Sequence, residues 1–421
     1  MYEGDWVLRL SQMVRERKTP AGWRLPANVW GLGITSLLTD ISSEMVISVL
    51  PAYLVLTRGL TPLALGFVTG LHEGGPILAT WAGGLIADRS GRRKLTATFG
   101  YGLSAACRLG WLAFSGRTIA AIAGLVLVDR LGKSIRTAPR DAMISLSVRS
   151  SQLATAFGVH RALDAAGAAA GPVLAFALLW RLPRRYDVIF FTSFVVALLG
   201  VAALALLVDE RAQPGAAGLP PTDRRWAEAL SVFTDAPLRR TLILATALSL
   251  VTISDAFIYL LIVQRSHASP QWLPLLYTGT AISFLTLAIP VGCIADRVGR
   301  RRTFVVGHAP LLGAYIVALG GFNWWPWNAV TAVVCLGAYY ASSDGVLAGL
   351  AGGQLPVKGR AVGLAWVATA VSLARLCSSI LFGFLWVRAG DLTAVFTFAA
   401  ALVAVASAAL RTRVTERPLT S

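Results

Sequence analysis

Apolar runs of about twenty residues, separated by short polar breaks, follow one another along this chain, the spacing expected of membrane-crossing helices. They predict twelve spans at roughly 28–56, 62–87, 95–114, 118–138, 154–180, 187–208, 240–263, 272–295, 303–321, 327–350, 361–387 and 391–410, each near bilayer length. Open sheets are excluded, because backbone groups in hydrocarbon must be satisfied within their own segment. The alternating short strands of a β-barrel do not occur. The expected fold class is therefore all-α and polytopic, with twelve transmembrane helices.

A polar knot interrupts this pattern twice. Gly84–Lys94 reads G-L-I-A-D-R-S-G-R-R-K, and Gly292–Arg302 reads G-C-I-A-D-R-V-G-R-R-R. Each copy follows one apolar run and precedes the next, so the chain repeats one design. Ala156-Phe157-Gly158, opening the fifth span, is echoed by Ala361-Val362-Gly363, opening the eleventh, and Asp141 by Asp344. Residues 209–239 form the only long break, with Pro214-Gly215 and Pro220-Pro221, and read as a linker. The expected organisation is 1–27 as a cytoplasmic segment, 28–208 and 240–410 as two pseudo-symmetric six-helix bundles, 209–239 as a cytoplasmic linker, and 411–421 as a tail. That is a transporter plan. Residues 5–18 suit either a short surface helix or a basic tail, and Trp226, Leu230 and Phe233 put one apolar face on the linker.

Composition supports this reading. The chain is 56% hydrophobic and only 14% charged, where water-soluble domains carry roughly 25% charge. A net charge of +17 would suit nucleic acid, but Lys and Arg also crowd cytoplasmic loops. With both termini inside, roughly two dozen basic residues fall on the inner side against about seven outside, which sets the orientation by the positive-inside rule. The expected location is the cytoplasmic (inner) membrane, with the bilayer as partner and nucleic acid excluded. Four cysteines lie inside apolar runs and have neither disulfide nor metal spacing. His72, His160, His267 and His308 are scattered, and no G-x-x-x-x-G-K-[ST] loop occurs. Neither an enzyme centre nor a nucleotide-driven pump is expected.

The knots carry a resemblance. Gly84-x-x-x-Asp88-Arg89-x-Gly91-Arg92-Arg93, between the second and third spans, resembles the loop motif of major facilitator superfamily transporters. Gly292-x-x-x-Asp296-Arg297-x-Gly299-Arg300-Arg301, between the eighth and ninth, is similar to its second copy. The resemblance runs the whole chain and implies alternating access in a monomer. Arg130-Leu131-Gly132-Lys133-Ser134 is similar to the family's proton-coupling arginine motif, with altered spacing. Gly167-x-x-x-Gly171-Pro172 resembles its antiporter motif and implies helix packing, although Ala175-Phe176 stands where a second small pair is expected. Thr39–Met45 and Gly132–Asp141 resemble a bacterial subgroup of the family. The resemblance names no substrate.

The knot also has a physical reading. Gly84 permits close helix approach, Gly91 a tight turn, and Asp88 can pair with an arginine or cap a helix. Its residues, with Gly292, Asp296, Arg297, Gly299 and Arg300 in the second copy, are expected to latch one conformation of the two halves. Within the spans, ionisable residues mark function. Asp40 and Glu44 are one turn apart on the first span, and Glu73 lies midway along the second. With Arg130 they are the proton-coupling candidates, and the proton gradient takes the place of any cofactor. His72 reads as structural. Arg108, Asp255, Tyr259, Tyr339, Tyr340, Trp366 and Arg375 are candidates for a small-molecule site, Arg375 for an anionic group because no acid lies within one turn of it. Lys133 and Arg136 read as a solvated helix end, and Trp324, Trp325 and Trp327 as an interfacial belt. Export by proton antiport is the expected function, with uptake by symport as the alternative.

Overall fold

The computed structural model describes residues 25–75, 92–113, 118–149, 152–209, 236–320, 325–354 and 360–411, with 360–362 as backbone alone. Gly84, Asp88, Arg89 and Gly91 of the first knot lie outside the described residues. So do the N-terminal segment, most of the linker, Trp324 and the tail beyond Arg411.

Eleven crossing segments and the first part of a twelfth, the second in the chain, are present among the described residues. The N-terminal half comprises α1 (Ala27–Pro51, continued by a π-turn to Thr57), α2 (62–75), α3 (Arg93–Ala113), α4 (Ile119–Ser147), α5 (Leu153–Arg181) and α6 (Tyr186–Leu207). In the C-terminal half, the seventh span is α7 (Ala236–Leu250) plus α8 (Asp255–Arg265), and the eighth is α9 (Leu273–Val298). The ninth is α10 (Arg300–Val306) plus α11 (His308–Ala318), followed by α12 (Trp327–Gln354), α13 (Arg360–Ala389) and α14 (Asp391–Arg411). Eight of the twelve are long and apolar enough to cross a bilayer by composition alone.

The other four explain themselves. The described part of α2 is short, α3 is only weakly apolar, and the ninth span is divided at Gly307. On α4, Asp129, Arg130, Lys133, Arg136, Arg140 and Asp141 occupy successive turns. This corrects the expected end of the fourth span. The helix runs through Pro139 to Ser147, and Arg136 is no solvated end. It is 2% exposed, with its guanidinium 4.2 Å from the Tyr101 ring centroid, a cation–π contact that suits a desolvated arginine.

Packing follows the repeat. The first span packs on the fifth and the third on the fourth, and the seventh packs on the eleventh and the ninth on the tenth. Because lipid is as apolar as a leucine side chain, close van der Waals approach must hold such pairs. Gly167 and Gly171 supply it: a Cβ on Gly167 would collide with the Leu37 carbonyl, and one on Gly171 would stand 2.6 Å from the Ile41 carbonyl oxygen.

The seventh span breaks at Val251–Ser254, which frees backbone groups in mid-membrane. Neighbouring side chains satisfy them. Ser378 Oγ donates to the Thr252 carbonyl at 2.6 Å, Tyr315 Oη donates to the Val251 carbonyl at 3.2 Å, and the Ile253 N–H donates to Tyr315 Oη at 2.7 Å. Irregular backbone at this depth is tolerated only where protein or a cavity receives it.

The halves meet at the end of the bundle opposite the chain termini. There Gly70 Cβ would stand 2.9 Å from the Leu376 carbonyl oxygen and Gly383 Cβ 2.6 Å from that of Pro62, while Gly66 abuts the Ser379 carbonyl. This is a small-residue seam between the second and eleventh spans. Phe176 and Trp180 of the fifth span meet Trp272 at ring-centroid distances of 5.2 and 5.9 Å, and Trp325 meets Trp272 edge-on from behind at 6.1 Å. Trp325, expected in an interfacial belt, thus backs an aromatic clamp. Towards the terminal end the halves part: α9 buries alternate residues over Leu273–Thr280, but between Ala281 and Val298 only Ala295 is buried.

Candidate functional site

The meeting of the halves leaves a cavity of about 230 Å³. Glu44 of α1, with His72 and Glu73 of α2, faces Ser254 and Asp255 at the break in the seventh span, together with Tyr277, Tyr340 and Arg375. Ser254 Oγ donates to Glu73 Oε1 at 2.8 Å, a hydrogen bond from one half to the other. A smaller cavity adjoins it across Asp255 and Tyr340, where Tyr259 Oη donates to Thr280 Oγ1 at 2.7 Å.

Arg375 does find a distant acid. Its Nη2 lies 3.7 Å from Asp344 of α12 and 3.5 Å from Tyr339 Oη, and its guanidinium is 5.9 Å from the Tyr340 ring centroid. Tyr339 is buried against His308. Trp366 packs with the Leu238–Ala351–Val367 cluster, away from the cavity lining.

Arg108 and Arg130 are also off the cavity lining. Both guanidiniums converge on Asp129, at 3.1 Å and 2.6 Å, and Arg108 donates to Ser43 Oγ at 2.8 Å. Arg108 is 2% and Arg130 3% exposed. This buried triad ties the first, third and fourth spans together. Asp40 has Lys133 Nζ at 4.0 Å, and Asp164 of the fifth span is its acidic neighbour. Asp164 also has Arg161, one turn earlier, at 3.8 Å.

Asp129, Asp164, Ser254 and Tyr277 were not among the candidate site residues. For Asp129 and Asp164 the signal was present, since each is an acid inside an apolar span. Ser254 and Tyr277 carry no such mark, because a serine or tyrosine in a membrane helix is ordinary.

The second knot can be followed in full. Gly299 has φ +108°, the positive value that a tight turn between α9 and α10 demands of a glycine. Asp296 accepts from Arg300 Nε and Nη2 at 2.9 and 2.8 Å. Arg300 Nη1 donates to the Gly349 carbonyl at 3.0 Å, and Arg301 Nη2 to that of Ala409 at 2.9 Å. All these partners belong to the C-terminal half, so in this conformation the knot braces one half internally. Gly292 faces open space rather than a neighbouring helix. The Asp296–Arg300 pair is worth at most about 1 kcal/mol, so with the Gly349 bond also lost, Arg300→Ala is expected to cost no more than about 2 kcal/mol in detergent, measurable by chemical unfolding.

Two helical repeats enclosing a mid-membrane cavity, with a broken helix at its wall, define a multi-pass membrane transporter. The chain belongs to the Major Facilitator Superfamily, whose family model matches residues 32–268. An uncharacterised transporter of this type from Methanocaldococcus jannaschii is 28% identical over 412 residues, covering 94% of this chain and 98% of that protein. An uncharacterised protein of Mycobacterium tuberculosis is 32% identical over 199 residues, 47% of this chain and 46% of its own length. Among solved structures, the nucleoside transporter NupG superposes with a TM-score of 0.78 at 13% identity, over 91% of this chain and 98% of its own. A D-xylose–proton symporter superposes with a TM-score of 0.65 at 16% identity, over 91% of this chain and 96% of its own. At these identities the structural likeness speaks for the fold alone.

Proposed function

We propose that this protein exports a small organic molecule across the cytoplasmic (inner) membrane in exchange for protons. It would act as a monomer with both termini in the cytoplasm, driven by the proton gradient without a cofactor. The observation that carries this reading is the meeting of Glu73 with Ser254 and Asp255 at the closed end of the cavity. A carboxylate there touches the opposite half, so its protonation changes a contact that would be lost when the halves part at that end. A proton can then bias which side is open by its differential affinity for the two states. Asp40, with the like-charged Asp164 as its neighbour on the fifth span, supports a second place for a proton. Arg130 holds Asp129 and would act on the proton path only by positioning.

Export rests on Gly167-x-x-x-Gly171-Pro172, and Ala175-Phe176 in place of a second small pair favours the alternative, uptake by symport. In vesicles with an imposed pH gradient, a panel of metabolites, drugs and organic anions should include a compound that evokes proton movement. Glu73→Gln is expected to lower that coupled flux at least about tenfold, some 1.4 kcal/mol. Substrate movement indifferent to the gradient would overturn the coupling, and flux direction in whole cells separates export from uptake.

A further inference from the structure

The cavity chemistry also speaks to the class of molecule carried, resting on the proposal that this cavity is the transport site. Glu44, Glu73 and Asp255 all line it. Among the described residues, no cation lies within ion-pair distance of any of the three. The cations nearby already have carboxylates: Arg108 and Arg130 hold Asp129, Lys133 lies by Asp40, and Arg375 lies 3.7 Å from Asp344, although its Nε has no hydrogen-bond partner. His72 Nε2, on the same wall, is buried without a hydrogen-bond partner.

Carboxylates without a countercharge, even with Ser254 donating to Glu73, and an unsatisfied imidazole nitrogen at this depth are costly unless an occupant answers them. The remaining wall limits what that occupant can be. Ile47, Leu50, Val68 and Val126 are apolar. Tyr277, held edge-to-face against Tyr259 at 4.7 Å, adds an aromatic surface of the kind that attracts cations. The volume of about 230 Å³ equals that of roughly eight liquid waters, which suits a compact molecule.

We infer that the substrate is a small organic amine, bound in its protonated form, with the ammonium among Glu44, Glu73 and Asp255 and an apolar body against the valine and leucine wall. Arg375, already beside Asp344 and the two tyrosines, would then keep the acidic cavity from being too negative when it is empty. This departs from the expectation that Arg375 recruits an anion.

The test is equilibrium binding to the purified full-length protein in detergent, by titration calorimetry corrected against empty micelles. Three probes of matched size are compared: phenethylamine, phenethyl alcohol and phenylacetate. The amine is expected to bind at least about tenfold more tightly than either other probe, as a charge-assisted hydrogen bond allows. That advantage should disappear in the Glu44→Gln, Asp255→Asn double variant. Equal or tighter binding of the alcohol or of phenylacetate, no amine binding, or an amine preference that survives the double variant would each overturn the inference. The probe comparison on the unaltered protein stands even if the variant misfolds. Binding at equilibrium needs no gradient, so this result and the proton-coupling result can fail separately.

Discussion

Asp129→Asn is expected to destabilise the protein by about 3–5 kcal/mol, the cost of removing one partner from a buried ion pair. Asp129 is the shared acceptor of Arg130 at 2.6 Å and Arg108 at 3.1 Å, and all three residues are almost wholly buried. Asparagine keeps the shape but removes the charge, leaving two guanidiniums desolvated with only neutral acceptors such as Ser43 Oγ. Chemical unfolding in detergent measures the loss. The solvent-facing Arg300→Ala variant is the comparison, since its pair lies at the surface. Should Asp129→Asn cost no more than that variant, the triad would not be what holds the third and fourth spans to the first. A second variant sharpens the point: adding Arg108→Met to Asp129→Asn should recover part of the loss, because one of the two stranded charges is then gone.

Gly383→Val is expected to act on conformation rather than on folding. A Cβ there would stand 2.6 Å from the Pro62 carbonyl oxygen and 2.9 Å from Leu63 Cα, contacts with backbone that cannot rotate away. Overpacking of this kind costs on the order of 1–3 kcal/mol. The clash exists only while the second and eleventh spans are apposed, so the cost falls on the state with the terminal-distal end closed. A bias of that size shifts a two-state ratio by roughly 5- to 150-fold. Spin labels at Thr57 and Ala389, exposed at that end, should report a longer distance distribution in the variant. An unchanged distribution with normal transport would show that the seam does not open during the cycle.

The division between sequence and structure is clearest at particular residues. Ten of the twelve spans match the apolar runs to within a few residues at their starts and ends, and the second does so at its start, its end lying outside the described residues, because a bilayer imposes one length and one satisfied backbone on every crossing segment. The exception is the fourth, whose basic run looks like a helix end at residue 138. It continues to Ser147 because each charge finds a partner in three dimensions: Arg136 the Tyr101 ring, Arg140 the adjacent Asp141 and Ser36. Hydropathy counts charges one at a time and cannot see pairing. The break at Val251–Ser254 was equally hidden, since Thr, Ile and Ser leave no sign of a helix end without Gly or Pro.

The candidate site divides in the same way. Sequence by itself determined the repeat, the membrane class and the short set of buried ionisable residues, since a charge in an apolar span is visible in one dimension. Only the tertiary structure decided which of them share a cavity. Glu44, Glu73, Asp255 and Arg375 come together there, whereas Arg108 and Arg130 are spent on Asp129, and Trp366 packs elsewhere. The reason is that a helix fixes spacing along its own axis but not its rotation against its neighbours. That rotation is set by close approaches such as Gly167 against Leu37 and Gly383 against Pro62, which no single segment encodes.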